Sequence, residues 1–326
     1  MSDQEHIAVS KFRQYLRINT EQPNPQYYKC KDFLYEYAKE IGLKPWSYEC
    51  VSGKPIVGMT LEGTDPSLPS VLLYSHTDVV PTFPDHWTYP PYDAHKDGEG
   101  KIYGRGTQDM KNEEIGSHDG IASEDDVYTL YYGQRCTWWV KVTCPGNPGH
   151  GSRFFENTPG PKLHSIIAKV TSVNITKVVG GVETNVIPPD FVAHFDLRIT
   201  PTDDLIEMEN LIAEWCKKAG PDVTYEFEQK LMNKTLTSTS KSDAWFSVFA
   251  NVLEAEKCKY NTAISICGTD ARYIRQLNIP AIGLSPMINT PILLHDHDEY
   301  LAENTFLKGL QLYVKIIEGL ANVPKH

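Results

Sequence analysis

The stretch Ser75-His76-Thr77-Asp78-Val79-Val80-Pro81 directly follows the apolar run Val71-Leu72-Leu73-Tyr74. A strand that ends in His-x-Asp sets an imidazole and a carboxylate at a sheet's carboxyl edge, where α/β enzymes hold their chemistry. Side chains two apart on a strand share a face, so Asp78 can orient the His76 ring as a metal ligand. Three further polar clusters follow along the chain. They are Asp109 in Gly104-Arg105-Gly106-Thr107-Gln108-Asp109-Met110-Lys111, the pair Glu113-Glu114, and His295 in Leu294-His295-Asp296-His297-Asp298-Glu299. Neutral imidazoles with carboxylates are the ligand set of zinc and its neighbours. A carboxylate using both oxygens can bridge two ions, which polarise a carbonyl and ionise a shared water. A neighbouring glutamate can then serve as the base for that water. Each cluster alone has a plainer reading: a satisfied strand-end histidine, a helix-capping aspartate, solvated glutamates, a polar surface turn. Their joint occurrence favours the metal site.

The elements that must carry these groups are visible in the periodicity. Helical spacing runs over residues 5–18, 27–41 (with Gly42 placed to end it), 161–170, 203–218, 241–255, 269–277 and 304–321. Strand-like segments are 45–50, 56–61, 71–74, 127–132, 137–143, 171–179, 190–199, 223–227, 261–266 and 280–284. This order predicts an α/β domain, a mixed sheet covered by helices, with an α+β domain inserted. The expected boundaries are 1–135 for the first catalytic part, 136–232 for the insertion and 233–326 for the second catalytic part.

The 326 residues carry a formal charge of −11 with a pI near 5.5, which argues against nucleic acid as a partner. Hydrophobic content of 40% suffices for a core, yet no apolar run reaches the length of a membrane helix. The first residues, Met1-Ser2-Asp3-Gln4-Glu5-His6, do not resemble a signal peptide. Seven scattered cysteines without a Cys-x-x-Cys pair read as reduced thiols of a cytoplasmic protein.

The order of the motifs resembles a known family. His-x-Asp after a strand, Gly104-Arg105-Gly106-Thr107-Gln108-Asp109, Glu113-Glu114-Ile115-Gly116, Pro148-Gly149-His150, Asn185-Val186-Ile187-Pro188, Gly268-Thr269-Asp270-Ala271-Arg272 and Leu293-Leu294-His295-Asp296-His297 together are similar to the M20 metallopeptidases, and among them the aminoacylase branch. The resemblance runs from about residue 5 to the C-terminus. It implies a zinc-peptidase type fold with a lid/dimerisation domain, two Zn2+ per subunit, a homodimer, and hydrolysis of N-acyl-L-amino acids to a carboxylate and a free amino acid. His76 would bind one zinc with Asp78 holding its ring, and Asp109 would bridge both ions. Glu113 would be the general base and Glu114 a ligand. His295 would bind the other zinc, with His297 the weaker candidate. His150 would reach a partner subunit's site and steady the oxyanion. Asn185 and Arg272 would hold the substrate's polar groups, Arg275 being a second candidate.

The chain also departs from that family's pattern. Three residues separate Asp109 from Glu113, where the family places a helix and a strand. A parallel strand cannot return without a crossover of about ten residues or more. Gly120 follows Glu114 just as abruptly, and the remaining zinc ligand has no clear equivalent; His118, Asp119 and Glu124 are the nearby candidates. The helical run 161–170 flows into 171–176 without a turn residue. These gaps motivate two alternatives: an impaired homologue acting as a non-enzymatic dimer partner, and a dipeptidase of the same family.

Overall fold

The computed structural model describes residues 5–109, 120–152, 156–167 and 174–325. Helices Ile7–Leu16 (α1) and Tyr27–Glu40 (α2) open the chain. Gly42, at φ 79°, ends the second by letting the Leu43 amide turn back to the Ala38 carbonyl. The hairpin of Lys44–Val51 (β1) and Lys54–Thr60 (β2) packs against α2. Short Lys101–Tyr103 (β3) precedes the longer strands Val127–Gln134 (β4) and Cys136–Pro145 (β5), which belong to different sheets. Then come Gly149–His150 (β6), Pro159–Ile167 (α3), Asn174–Val179 (β7), Val186–Ile187 (β8), Asp190–Ile199 (β9), Leu205–Ala219 (α4) and Thr224–Lys230 (β10). The remainder is Ala244–Ala255 (α5), Lys259–Ser265 (β11), Ala271–Gln276 (α6), Gly283–Leu284 (β12), Tyr300–Ala302 (β13) and Glu303–Ala321 (α7).

The chain divides into two compact units. One comprises 1–132, 237–263 and 280–326, the other 133–236 and 264–279. The second unit thus takes in 264–279, a segment that the sequence reading assigns to the larger domain.

In the larger unit, the three-stranded sheet β11-β4-β12 is accompanied by α5 and α7. Leu130, Leu253, Leu284 and Ile316 are fully or almost fully buried there. Asp243 starts α5 by accepting from the Trp245 and Phe246 amides. A second core joins α1 to the start of α7, where the Phe12 and Phe306 rings stack at 4.7 Å. Around it, Glu5 pairs with Arg13 at 2.7 Å and Lys96 at 3.0 Å, and Lys96 pairs with Glu303 at 3.1 Å.

The smaller unit is an antiparallel sheet of order β10-β5-β9-β7, covered by α3 and α4. Trp138, Val140 and Val142 alternate inward on β5 and meet Phe195 and Leu197 of β9. None of the seven cysteines forms a disulfide. Among the described residues, no helix is long and apolar enough to cross a membrane.

One expected strand does not form. Residues 71–73 lie outside every strand, and Leu72 and Leu73 are 69% and 41% exposed. A strand is stable only when neighbours pair with its edges and cover its faces. No described strand is hydrogen-bonded to 71–73. The segments predicted at 280–284 and 269–277 are likewise shorter in the structure, as β12 and α6.

Candidate metal centre

The ladder between β3 and β13 assembles the centre. It pairs Tyr103 with Tyr300, Ile102 with Leu301 and Lys101 with Ala302. The two strands run antiparallel, so the loop leaving β3, residues 104–109, lies beside the turn entering β13, residues 295–299. Gly106 adopts φ 93°, a backbone conformation that suits glycine, and lets the loop fold back. On the other side, Glu21 and Val79 form a parallel bridge, and the Val79 amide donates to the Thr20 carbonyl at 3.0 Å. That contact fixes 76–79.

At this place two histidines expected as ligands each approach Asp109, a third expected ligand. Nε2 of His295 is 3.0 Å from one Asp109 oxygen, and Nε2 of His76 is 3.9 Å from the other. Nδ1 of His76 faces Asp78, 2.9 Å from its carbonyl and 3.2 Å from its carboxylate. With Nδ1 as donor, the lone pair of His76 is on Nε2, toward Asp109. Gln22 Nε2 donates to the other Asp78 oxygen at 2.8 Å. Hydrogen bonding from His76 lowers the Asp78 pKa to about 2, against the opposing effect of burial. Burial pushes the His76 pKa down, but hydrogen bonding to Asp78 and the charges of Asp109 and Asp78 raise it overall.

Donor chemistry fits a divalent ion. Two imidazole nitrogens flank the two oxygens of one carboxylate, and one ring is oriented by a second carboxylate. Among the described residues, the side chains do not gather into a ligand group of three or more. Glu113 and Glu114 lie outside the described residues, as do His118 and Asp119. Glu124 is exposed, and His297 stacks on His86 at 4.9 Å.

The remaining predicted residues belong to the smaller unit. His150 and Asn185 are neighbours across the β6–β8 ribbon, where the Gly151 amide donates to the Asn185 carbonyl at 2.5 Å. His150 Nδ1 is 2.9 Å from Ser152 Oγ, and the imidazole is exposed. Arg272 carries its guanidinium 4.8 Å over the Tyr273 ring and donates to the Tyr273 hydroxyl at 3.2 Å. Arg275 is 1% exposed.

Sequence reasoning missed the support beneath the centre. Glu299 is fully buried and Arg105 is 1% exposed, and they pair at 2.8 Å. Gln108 donates from Nε2 to the Pro291 and Tyr300 carbonyls and accepts from the Leu293 amide. The signal was present in the alternation of glycine with large polar residues over 104–108. Such polar runs ordinarily lie at the surface, which hides a buried pair.

The sequence pattern of the peptidase family M20/M25/M40 matches residues 72–116, and that of the peptidase dimerisation domain matches 132–224. Aminoacylase-1 of Sus scrofa is 40% identical over 393 residues, covering 98% of this chain and 97% of the relative. The chain belongs to the aminoacylase-1 family of M20 peptidases. Aminoacylase-1 of Mus musculus is 40% identical over 99% of this chain and 97% of its own length; that of Dictyostelium discoideum is 34% identical over 99% of each. The alignment with the Sus scrofa relative is 67 positions longer than this 326-residue chain, so family length is missing from within it. The fold is also that of an M20 family metallo-carboxypeptidase, Sso-CP2 from Sulfolobus solfataricus, with a TM-score of 0.74 at 13% identity over 97% of this chain and 100% of that one. Human carnosine dipeptidase 1 gives 0.68 at 11% identity over 96% of each chain. Membership in this family makes the chain a metallopeptidase-type hydrolase.

Proposed function

We propose that the chain hydrolyses N-acyl-L-amino acids to a carboxylate and a free amino acid, with zinc as its metal, in the cytoplasm and as a homodimer. The observation that carries this reading is the convergence of His76 and His295 on the two oxygens of Asp109. Aminoacylase-1 relatives along nearly the whole chain supply the substrate class, and the dimerisation pattern over 132–224 supports the dimer.

His76, Asp109 and His295 would hold the metal together with Glu114, and Asp78 keeps the His76 ring in the ligating tautomer. The full complement is two ions, with one ligand of the second not identified. Bound zinc would polarise the amide carbonyl and lower the pKa of water. Glu113 takes the proton of the attacking water and delivers it to the departing amine nitrogen, so the amide bond breaks without net proton change. His150, contributed by the partner subunit, donates to the tetrahedral oxyanion. Arg272 suits the substrate's free carboxylate, Asn185 its remaining polar atoms, and Arg275 is the second cation for that role.

The test is metal content and hydrolysis of N-acetylmethionine by the purified chain. Bound zinc with turnover that falls by about 100-fold or more in Glu113→Gln supports the reading. Faster cleavage of dipeptides than of N-acetylmethionine would favour a dipeptidase. A second reading, a non-enzymatic dimer partner, is favoured by the internal family length that the chain lacks and by the uncovered Leu72 and Leu73. A folded dimer without zinc or turnover would replace the first reading with the second.

A further inference from the structure

Beneath the candidate metal centre sits a buried carboxylate that no step of the proposed reaction uses. Glu299 is 0% exposed. Its Oε2 accepts from Arg105 Nη1 at 2.8 Å and from the Gly106 amide at 3.4 Å. Its Oε1 accepts from the Gln108 amide at 2.6 Å, the Asp109 amide at 3.3 Å and Thr107 Oγ1 at 3.4 Å. Every partner of this carboxylate is a donor. Burial raises its pKa, while Arg105 and the Gln108 amide oppose that rise. Four of the five come from the consecutive residues 106–109, so one side chain fixes the backbone that presents Asp109.

The same residue fixes the other half of the centre. The Gly104 amide donates to the Glu299 carbonyl at 3.0 Å, tying the start of the loop to the end of the turn. Within that turn His295 and Asp298 have φ of 66° and 52°, in the left-handed region that ordinary side chains rarely adopt. Such strain persists only where the surroundings hold it. Asp298 is held by the Thr88 amide at 2.7 Å and the Thr88 hydroxyl at 2.8 Å, and Glu299 by the five donors above.

We infer that Glu299 is a positioning residue: it clamps the Asp109 loop and the His295 turn in the relative placement that a shared metal ion requires. This inference rests on the metal-site reading. Ligand-supporting residues of this kind are worth about 10–100-fold in metal affinity.

Two variants test it, with Co2+ titrated into the metal-free full chain and followed by its visible absorption. Glu299→Gln keeps the volume but replaces one acceptor oxygen with a donor. Glu299→Asp keeps the charge opposite Arg105 but withdraws the carboxylate by about 1.5 Å, one carbon–carbon bond, from the loop amides. Both are expected to bind Co2+ about 10–100-fold more weakly, with an altered visible band. Glu299→Asp decides the matter if Glu299→Gln fails to fold. A folded variant with unchanged affinity and spectrum overturns the role of Glu299 while leaving the metal site intact. Loss of folding in both variants assigns the residue to the scaffold alone and also overturns it. An unaltered chain that binds no Co2+ overturns the metal-site reading itself.

Discussion

Replacing Asp78 by Asn removes the charge behind His76 and leaves the shape. In the metal-free protein the pair's stability should follow a bell in pH. Asp78 has its pKa lowered from 3.8 to about 2, so its contribution is present above 3.8 and is lost as pH falls through about 2. His76 has its pKa raised above 6.5, so its contribution is present below 6.5 and is lost as pH rises through the folded value. The two overlap between 3.8 and 6.5. A shift from 3.8 to about 2 corresponds to about 2.5 kcal/mol if taken whole. Asp78 is 35% exposed, however, and solvent screens the pair. The cost of Asp78→Asn should therefore be about 1 kcal/mol near pH 5 and smaller at about pH 2 and pH 9. Two contacts limit the loss further. The Asp78 carbonyl still accepts from His76, and an asparagine oxygen can serve either the His76 ring or Gln22, though not both. Urea denaturation with chelator present, at those three pH values, measures the difference. A cost that is the same at all three would refute the argument, because the lost interaction would then not be ionic.

Two other perturbations probe the frame. Glu5 has its pKa lowered to about 2 by Ser10, Lys96 and Arg13 against the cost of burial. Glu5→Gln should cost about 1–2 kcal/mol above pH 4.5, and the difference should vanish as pH falls through about 2; thermal melts across pH measure it. Gly120→Ala would place a methyl 2.2 Å from the Ser285 amide nitrogen and 2.5 Å from the Leu284 carbonyl carbon. Both neighbours are backbone and cannot step aside, so we expect a loss of about 1–3 kcal/mol in urea midpoints, and a wild-type midpoint would contradict this packing.

Local periodicity was legible for long amphipathic helices. α1, α2, α5 and α7 were readable because one face of each carries apolar residues such as Phe12, Leu34, Phe249 and Ile316, which face a core. Residue type and motif order grouped His76, Asp109 and His295 as expected ligands; both histidines approach Asp109 in the structure, and their role as ligands is a proposal. Two things were not visible. Residues 71–74 have strand composition, but a strand depends on partners elsewhere, and composition is silent about whether those partners survive. Arg105 and Glu299 have the composition of a surface, and only the tertiary pairing, 194 residues apart, places them inside. The buried pair thus belongs to information that no short window contains.

The β3–β13 ladder has a consequence for substitutions far from Asp109 in the chain. The loop that carries Asp109 is tied to β3 and, through Gln108 and the Asp109 amide, to residues 291–300. A change in that downstream stretch therefore reaches the acid across about 190 residues of sequence, so its effects on the centre would surface where a linear map of the chain gives no warning.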